Sequence, residues 1–317
     1  MARPNTAVSR PELGALAFEF MEEQARERYI GMKLFPVKRV QKQSAEYPVI
    51  PLEAMTETPD TARAARGNYN RSDWNFDFQN YSTKDRGWEE VIDDREEALY
   101  ASYFDMEAAS TQRAVAVILR AHEIRVRDKV LDTAQLANAA VSVSWATAAT
   151  ATPRSDVDTA KGAMRSAYGV LPNVMVISWT RFQALLRTAE IKDALKYTNP
   201  IELGGFEAQK RLLAQYFGVN EVLVGDALYN TAKKGQSPSL GEIWTATKVG
   251  LYNVSAGTDD MKEPAIGRTM LWEDGAPDII TTETYREEAK RSDVVRVRQD
   301  VDEVYQYKGA GYILTGI

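Results

Sequence analysis

Hydrophobic and polar positions change period several times along the chain. Leu13, Leu16, Ala17 and Phe20 recur at three- and four-residue spacing, charged residues from Glu22 to Arg28 follow, and Gly31 and Pro36 end the pattern. This predicts a short amphipathic arm helix. Its apolar face, Leu13, Leu16 and Phe20, is narrow, so the helix needs a surface to dock on, either its own body or another subunit. From Val37 to about Arg86 the pattern is broken by Pro48, Pro51, Pro59 and Gly67, with strand-like pieces at Tyr47 to Ile50 and Trp74 to Phe78. That predicts an extended hairpin rather than a domain, and connections of this length are usually functional when they are ordered. The alternation of Trp74, Phe76 and Phe78 gives it an apolar face that something should cover.

The hairpin charges are sorted along the chain. Glu53, Glu57 and Asp60 lie on the approach, and Arg63, Arg66 and Arg71 on the return. Such a ribbon suits a position across a neighbour held by salt bridges; the alternative is a solvated loop whose exposed pairs contribute only about 0–1 kcal/mol each.

Trp88 to Thr152 contains no glycine and no proline. With Asp93 and Asp94 opening a run of helix formers, this predicts one helix from about Asp93 to Asp132, on the order of 60 Å long at 1.5 Å per residue. Leu99, Tyr103, Met106, Ala114, Val117, Ala121 and Ile124 step at helical spacing and should face a sheet. Acidic residues at its start and Arg120, Arg125, Arg127 and Lys129 near its end suit the helix dipole. Ala137 to Pro153 is small and β-branched, an exit into a loop or edge strand.

A second unit follows. Helices are predicted at Ser155 to Tyr168, Thr180 to Arg187 and Gly205 to Phe217, and buried strands at Val174 to Ser178 and Glu221 to Gly225, an α/β arrangement around a central sheet. Asp226 to Gly241 is predicted as an exposed loop, and strands are expected near Ile243 to Asn253 and Gly267 to Trp272. From Ile279 onward the chain should be nearly all strand, at Thr282 to Arg286, Val294 to Arg298 and Val301 to Tyr307, forming a sheet under the long helix.

Composition narrows the function classes. The 317 residues carry a net charge of -6 and no cysteine, which removes disulfides and thiolate chemistry and argues against strong phosphate neutralisation. No apolar run reaches the roughly 18 residues of a membrane span, and Met1 to Arg10 lacks a signal-peptide core. The single histidine, His122, falls inside the long helix, and no Gly-x-Ser-x-Gly elbow or phosphate-binding Gly-rich loop occurs. Carboxylate pairs such as Asp259-Asp260 and Glu287-Glu288 lack an apolar setting. No catalytic, cofactor-binding or metal site is expected; a carboxylate hydrolase or small-ligand binder on the α/β unit is the reading from another class.

The order of parts, with Pro172-Asn-Val-Met-Val-Ile-Ser178, Arg181-Phe-Gln-Ala-Leu185 and Tyr305-Gln-Tyr-Lys-Gly-Ala-Gly-Tyr-Ile-Leu314, resembles the major capsid proteins of tailed double-stranded DNA bacteriophages with the Hong Kong 97 fold. The resemblance covers nearly the whole chain. It implies an α+β subunit with an N-terminal arm (residues 1–36), an extended loop (37–90), a spine helix and first peripheral part (91–152), an axial domain (153–278) and peripheral strands (279–317). It implies pentamers and hexamers closing an icosahedral shell around packaged DNA that is contacted weakly. Asp226, Lys233, Lys234 and Gly235 would lie in the axial loop. Some members link subunits through a lysine of the extended loop; none stands between Lys42 and Lys84 here, so non-covalent assembly is expected, with Glu53, Glu57, Asp60, Arg63, Arg66 and Arg71 as inter-subunit contacts. The resemblance further implies a portal protein, a separate scaffold protein because only about 35 residues precede the hairpin, possible decoration protein, no membrane, and a virion location after assembly in the host bacterial cytoplasm. An encapsulin-like compartment shell shares the fold and is the nearest alternative.

Overall fold

The computed structural model describes residues 8–9, 13, 15–17, 29–49, 56–63, 65–71, 77–195, 205–233, 235–255, 263–276 and 278–317. Along the chain the strands are β1 (Val8–Ser9), β2 (Val37–Val40), β3 (Ser44–Val49), β4 (Asp77–Ser82), β5 (Lys84–Asp93), β6 (Ala137–Ala140), β7 (Val174–Ser178) and β8 (Glu221–Gly225). They continue as β9 (Leu228–Asn230), β10 (Leu240–Glu242), β11 (Lys248–Tyr252), β12 (Gly267–Trp272), β13 (Thr281–Glu287), β14 (Ser292–Tyr305) and β15 (Gly311–Thr315).

The larger sheet runs β1-β13-β14-β12-β2, with β5 pairing along β14. Its axis is β14, one strand of 14 residues and so about 46 Å long. Two strands separated by a turn were expected here, because Gln299 and Asp300 read as turn residues. Both are buried within the strand instead, where they pair with Arg86 and Asp85 of β5. The smaller sheet runs β6-β15-β11-β7-β8. The last strand, expected beneath the long helix with β13 and β14, thus belongs to the smaller sheet, while β12 joins the larger one. Strand propensity alone carries no information about which sheet a strand enters.

The long helix is broken. Asp93 caps a seven-residue helix, Asp94–Tyr100, by accepting Arg95 N–H. Asp105 then caps a 25-residue spine helix, Met106–Val130, by accepting the N–H groups of Glu107 and Ala108. The spine is therefore about 38 Å long, not 60 Å. A second cap inside a run without glycine or proline splits it, because the aspartate satisfies orphan N–H groups that a continuous helix would not leave. The spine packs on β14 and β5 as expected, and Ala114 and Ile124 of the expected stripe do meet the core, but the face is shifted: Thr111, Val115, Ile118, Leu119, His122 and Val126 are buried, whereas Leu99 and Tyr103 are exposed. Polar Thr111 and His122 inside the contact hid it from a count of apolar positions.

Alternation along the buried strands divides the core. Val174 and Val176 of β7 join the spine helix, Leu34, Phe35 and Trp244 in one cluster. Met175 and Ile177 face Trp145, Met164, Phe182, Leu213 and Phe217 in the second, a partition that follows from the period of two in a strand. That second layer is built by the helices Pro153–Tyr168, Trp179–Leu186, Ala189–Leu195 and Phe206–Phe217, of which Ala189–Leu195 was not anticipated. The segment expected as the loop Asp226 to Gly241 carries an antiparallel ribbon, Leu240 opposite Asn230 and Glu242 opposite Leu228.

Candidate functional site

The hairpin is rigid at its base and exposed at its end. β3 and β4 pair antiparallel, Ser44 opposite Ser82 and Val49 opposite Asp77. Tyr47 and Tyr81, with ring centroids 6.3 Å apart, pack with Val49 on Met270 and Val304 of the larger sheet. The Tyr47 hydroxyl donates to the carbonyl of Tyr305, Tyr81 Oη donates to the Lys42 carbonyl at 3.1 Å, and the N–H of Ser82 reaches Asp302 Oδ2 at 3.0 Å. Beyond this anchor, Glu57, Asp60, Arg63, Arg66 and Arg71 are all exposed. Phe78, opposite Pro48, is 64% exposed, so within one subunit it keeps an open apolar surface. Glu53, Trp74 and Phe76 lie outside the described residues.

Local bonds shape the end of the hairpin. Asp60 Oδ1 accepts the N–H of Ala62 at 2.9 Å, Asn70 Nδ2 donates to the Asp60 carbonyl at 2.7 Å, and the Arg63 guanidinium lies 4.8 Å from the centre of the Tyr69 ring. Arg66 has a φ of 67°, a left-handed conformation that costs an L residue roughly 1–2 kcal/mol. An arginine therefore occupies a turn position where glycine would be easier to fold.

The ribbon β9–β10 is the second exposed feature. Asp226 and Lys233 are exposed, Gly235 sits at φ 88° in the turn, and Leu228 and Leu240 are exposed on its flanks. Lys234 lies outside the described residues. In the arm, Leu13 and Ala17 are buried, with Ala17 in the main core cluster; Leu16 is half-buried, and Phe20 lies outside the described residues.

Two titratable residues inside the spine were given no such role by the pattern. Glu123 accepts the N–H groups of Ile30 at 3.0 Å and Gly31 at 2.7 Å, and the indole N–H of Trp244 at 2.7 Å. It joins the arm exit, the spine and the chain entering the smaller sheet. Burial pushes its carboxyl up to about 7 against the pull of these donors. His122 Nε2 lies 3.3 Å from Thr269 Oγ1, whose hydroxyl donates to the Phe35 carbonyl. Burial pushes its imidazole down to about 4; Glu303 pulls it up, and Arg125 and Arg86 push it down. It is a packing residue, with Glu303 held by Arg125 Nε at 3.0 Å.

An open groove of about 590 Å³ on the larger sheet is lined by Asp85, Trp88, Glu89, Glu283, Arg296 and Arg298. Its arginines already meet its acids, Arg296 with Glu89 at 2.7 Å and Arg298 with Glu283 at 2.9 Å. Among the described residues no cluster of potential metal ligands occurs, and no helix is long and apolar enough to cross a membrane.

A sheet backed by a spine helix, a hairpin projecting from it and a second sheet carrying a ribbon together make the Hong Kong 97-like fold of phage capsid proteins. A phage-related protein from Bordetella bronchiseptica RB50 superimposes with a TM-score of 0.72 at 24% identity, over 100% of this chain and 98% of that one. A putative capsid protein of a prophage from E. coli CFT073 gives a TM-score of 0.59 at 11% identity, over 98% and 100%. In sequence the chain is 27% identical over 308 residues to the major capsid protein of Burkholderia phage BcepMu, covering 91% of each. No protein-family model matches. The fold is thus the one seen in phage capsid proteins, and the sequence likeness is to a phage major capsid protein.

Proposed function

We propose that the chain is a major capsid protein that assembles as pentamers and hexamers into an icosahedral shell around double-stranded DNA. The observation that carries this reading is the anchored hairpin. Its base is fixed to the larger sheet through Tyr47 and Tyr81, while its far part keeps charged and aromatic side chains in solvent. A surface held rigid and left uncovered in the subunit suits a contact completed by another subunit. Head-to-tail contacts of this kind close rings, and a shell needs many of them rather than one strong site.

In this reading Glu53, Glu57, Asp60, Arg63, Arg66 and Arg71 contact a neighbour, Trp74, Phe76 and Phe78 are covered there, and Asp226, Lys233, Lys234 and Gly235 approach the ring axis. Residues 153–278 form most of the axial unit. A portal, a separate scaffold and, where present, a decoration protein complete the head, which assembles in the host cytoplasm. An encapsulin-like compartment has the same fold, so the sequence likeness to a phage major capsid protein is what disfavours it.

Electron microscopy of the purified protein, alone and co-expressed with its neighbouring genes, tests the proposal. Closed shells or tubes of pentameric and hexameric rings are expected. A persistent monomer or dimer in both preparations would overturn it.

A further inference from the structure

We propose that the outer edge of β5 pairs antiparallel with the same edge of a second copy of this chain, across a two-fold axis at Trp88. The inference rests on the shell reading above and specifies one of its contacts. β5 pairs with β14 without a bulge from Lys84 to Asp93, and among the described residues no strand pairs with its other side. A long, regular edge without proline is a template for another strand. This one is also partly apolar, with Trp88 43% and Val91 54% exposed.

The phase of the ladder fixes which backbone groups are free. The N–H of Asp94 donates to the Arg291 carbonyl at 3.2 Å, one step beyond the pair Asp93 and Ser292. Hydrogen-bonded pairs alternate along an antiparallel ladder, so the even residues of β5 bond to β14 and the odd residues turn outward. Asp85, Gly87, Glu89 and Val91 therefore aim their N–H and C=O groups away from the sheet.

Only registers that set odd residues against odd residues use these groups, and charge selects among them. A register centred on Gly87 sets Asp85 against Glu89 of the second copy, and one centred on Arg86, Glu89 or Glu90 sets that residue against itself. A register centred on Trp88 opposes no like charges. Gly87 then pairs with Glu89 and Asp85 with Val91, in both directions, so each outward N–H finds a carbonyl. Arg86 stands opposite Glu90 at two symmetric places, and the two indoles meet on the axis. The edge is complementary to itself, which is why the occupant is a second copy rather than a foreign strand.

The even side chains lie on the face that carries the spine, where Arg113 reaches Glu90 at 3.1 Å. A two-fold axis normal to the sheet keeps both spines on that face. The contact is isologous, so it joins one pair of chains and does not propagate around a ring. It links neighbouring rings instead.

The chain has no cysteine, so a single engineered thiol on the axis meets only its own copy. Particles of Trp88→Cys are oxidised mildly beside particles of Glu207→Cys, whose thiol replaces an exposed glutamate on another helix. Disulfide-linked dimers on a non-reducing gel are expected from the first and not from the second. Well-formed particles whose Trp88→Cys chains stay single, or equal dimers from both, would overturn the edge contact while leaving the shell reading intact. A wild-type chain that never forms rings or shells would overturn the shell reading itself. A second variant acts on the backbone. Val91→Pro removes an outward N–H that bonds nothing within the subunit, and proline is tolerated on edge strands at such positions. The isolated subunit should therefore still unfold cooperatively in urea, while particles are lost. Particles formed by Val91→Pro in wild-type yield would reject the pairing.

Discussion

The N–H of Gly31 donates to the buried carboxylate of Glu123 at 2.7 Å, and a Cβ on residue 31 would stand 2.6 Å from the same oxygen. This bond fastens the arm exit to the spine at a place with no room for a side chain. We predict that Gly31→Ala destabilises the subunit by about 1–3 kcal/mol, since overpacking and a displaced hydrogen bond act together. Chemical denaturation of the unassembled subunit measures it. A midpoint within error of wild type would show that Glu123 moves aside freely.

The neighbours His122 and Glu123 pull stability in opposite directions with pH. Glu123 has a folded value raised from 4.5 to about 7, so its contribution is full below 4.5 and lost as pH rises through 7. His122 has a folded value lowered from 6.5 to about 4. Its contribution is full above 6.5 and lost as pH falls through 4. Between pH 4.5 and 6.5 the two slopes cancel. We predict that Glu123→Gln unmasks the histidine, so that stability rises by up to about 3 kcal/mol across that window at about 1.4 kcal/mol per pH unit. Urea titrations at several pH values decide the matter; a variant as flat as wild type would remove the linkage.

Much of this fold was legible where burial is local. The boundaries of β7 and β8 match the apolar runs that predicted them, because a strand covered on both faces reads as a continuous stretch between breakers. The spine was legible as a helix but not as a broken one, since Asp105 sits among helix formers and looks like surface. Gln299 and Asp300 misread as a turn because a polar pair inside a buried strand has no local signature. The partners of Glu123 lie 92, 93 and 121 positions away, so nothing near it in sequence marks it. Leu99 and Tyr103, assigned to a buried stripe by their spacing, are exposed instead, because the break before Asp105 takes them off the face of the spine.

The hairpin base depends on one phenol. Tyr47 Oη donates to the Tyr305 carbonyl and lies 3.0 Å from Gln79 Oε1, and burial pushes its pKa well above the ordinary value. Tyr47→Phe keeps the packing but removes the bond to the Tyr305 carbonyl, at a cost of about 1–2 kcal/mol. Because the base holds the hairpin in place, we also expect cleavage between residues 56 and 71 by a low dose of trypsin to quicken several-fold. Unaltered digestion would mean that packing against Met270 and Val304 suffices without the hydroxyl.

Arg66 offers a separation of folding from assembly. Its backbone lies in the left-handed region at φ 67°, where glycine carries no Cβ penalty. Arg66→Gly relieves that strain but also loosens the unfolded chain, so the net gain is smaller than the strain itself, about 0.5–1 kcal/mol in the unassembled subunit. The same change deletes a charge that the shell reading assigns to a neighbour. We therefore predict a subunit that is slightly more stable by denaturation and less able to assemble at raised salt, where the remaining weak pairs are screened. Sedimentation at low and high ionic strength resolves the two effects. Assembly equal to wild type at every salt concentration would show that the strained conformation serves the turn alone.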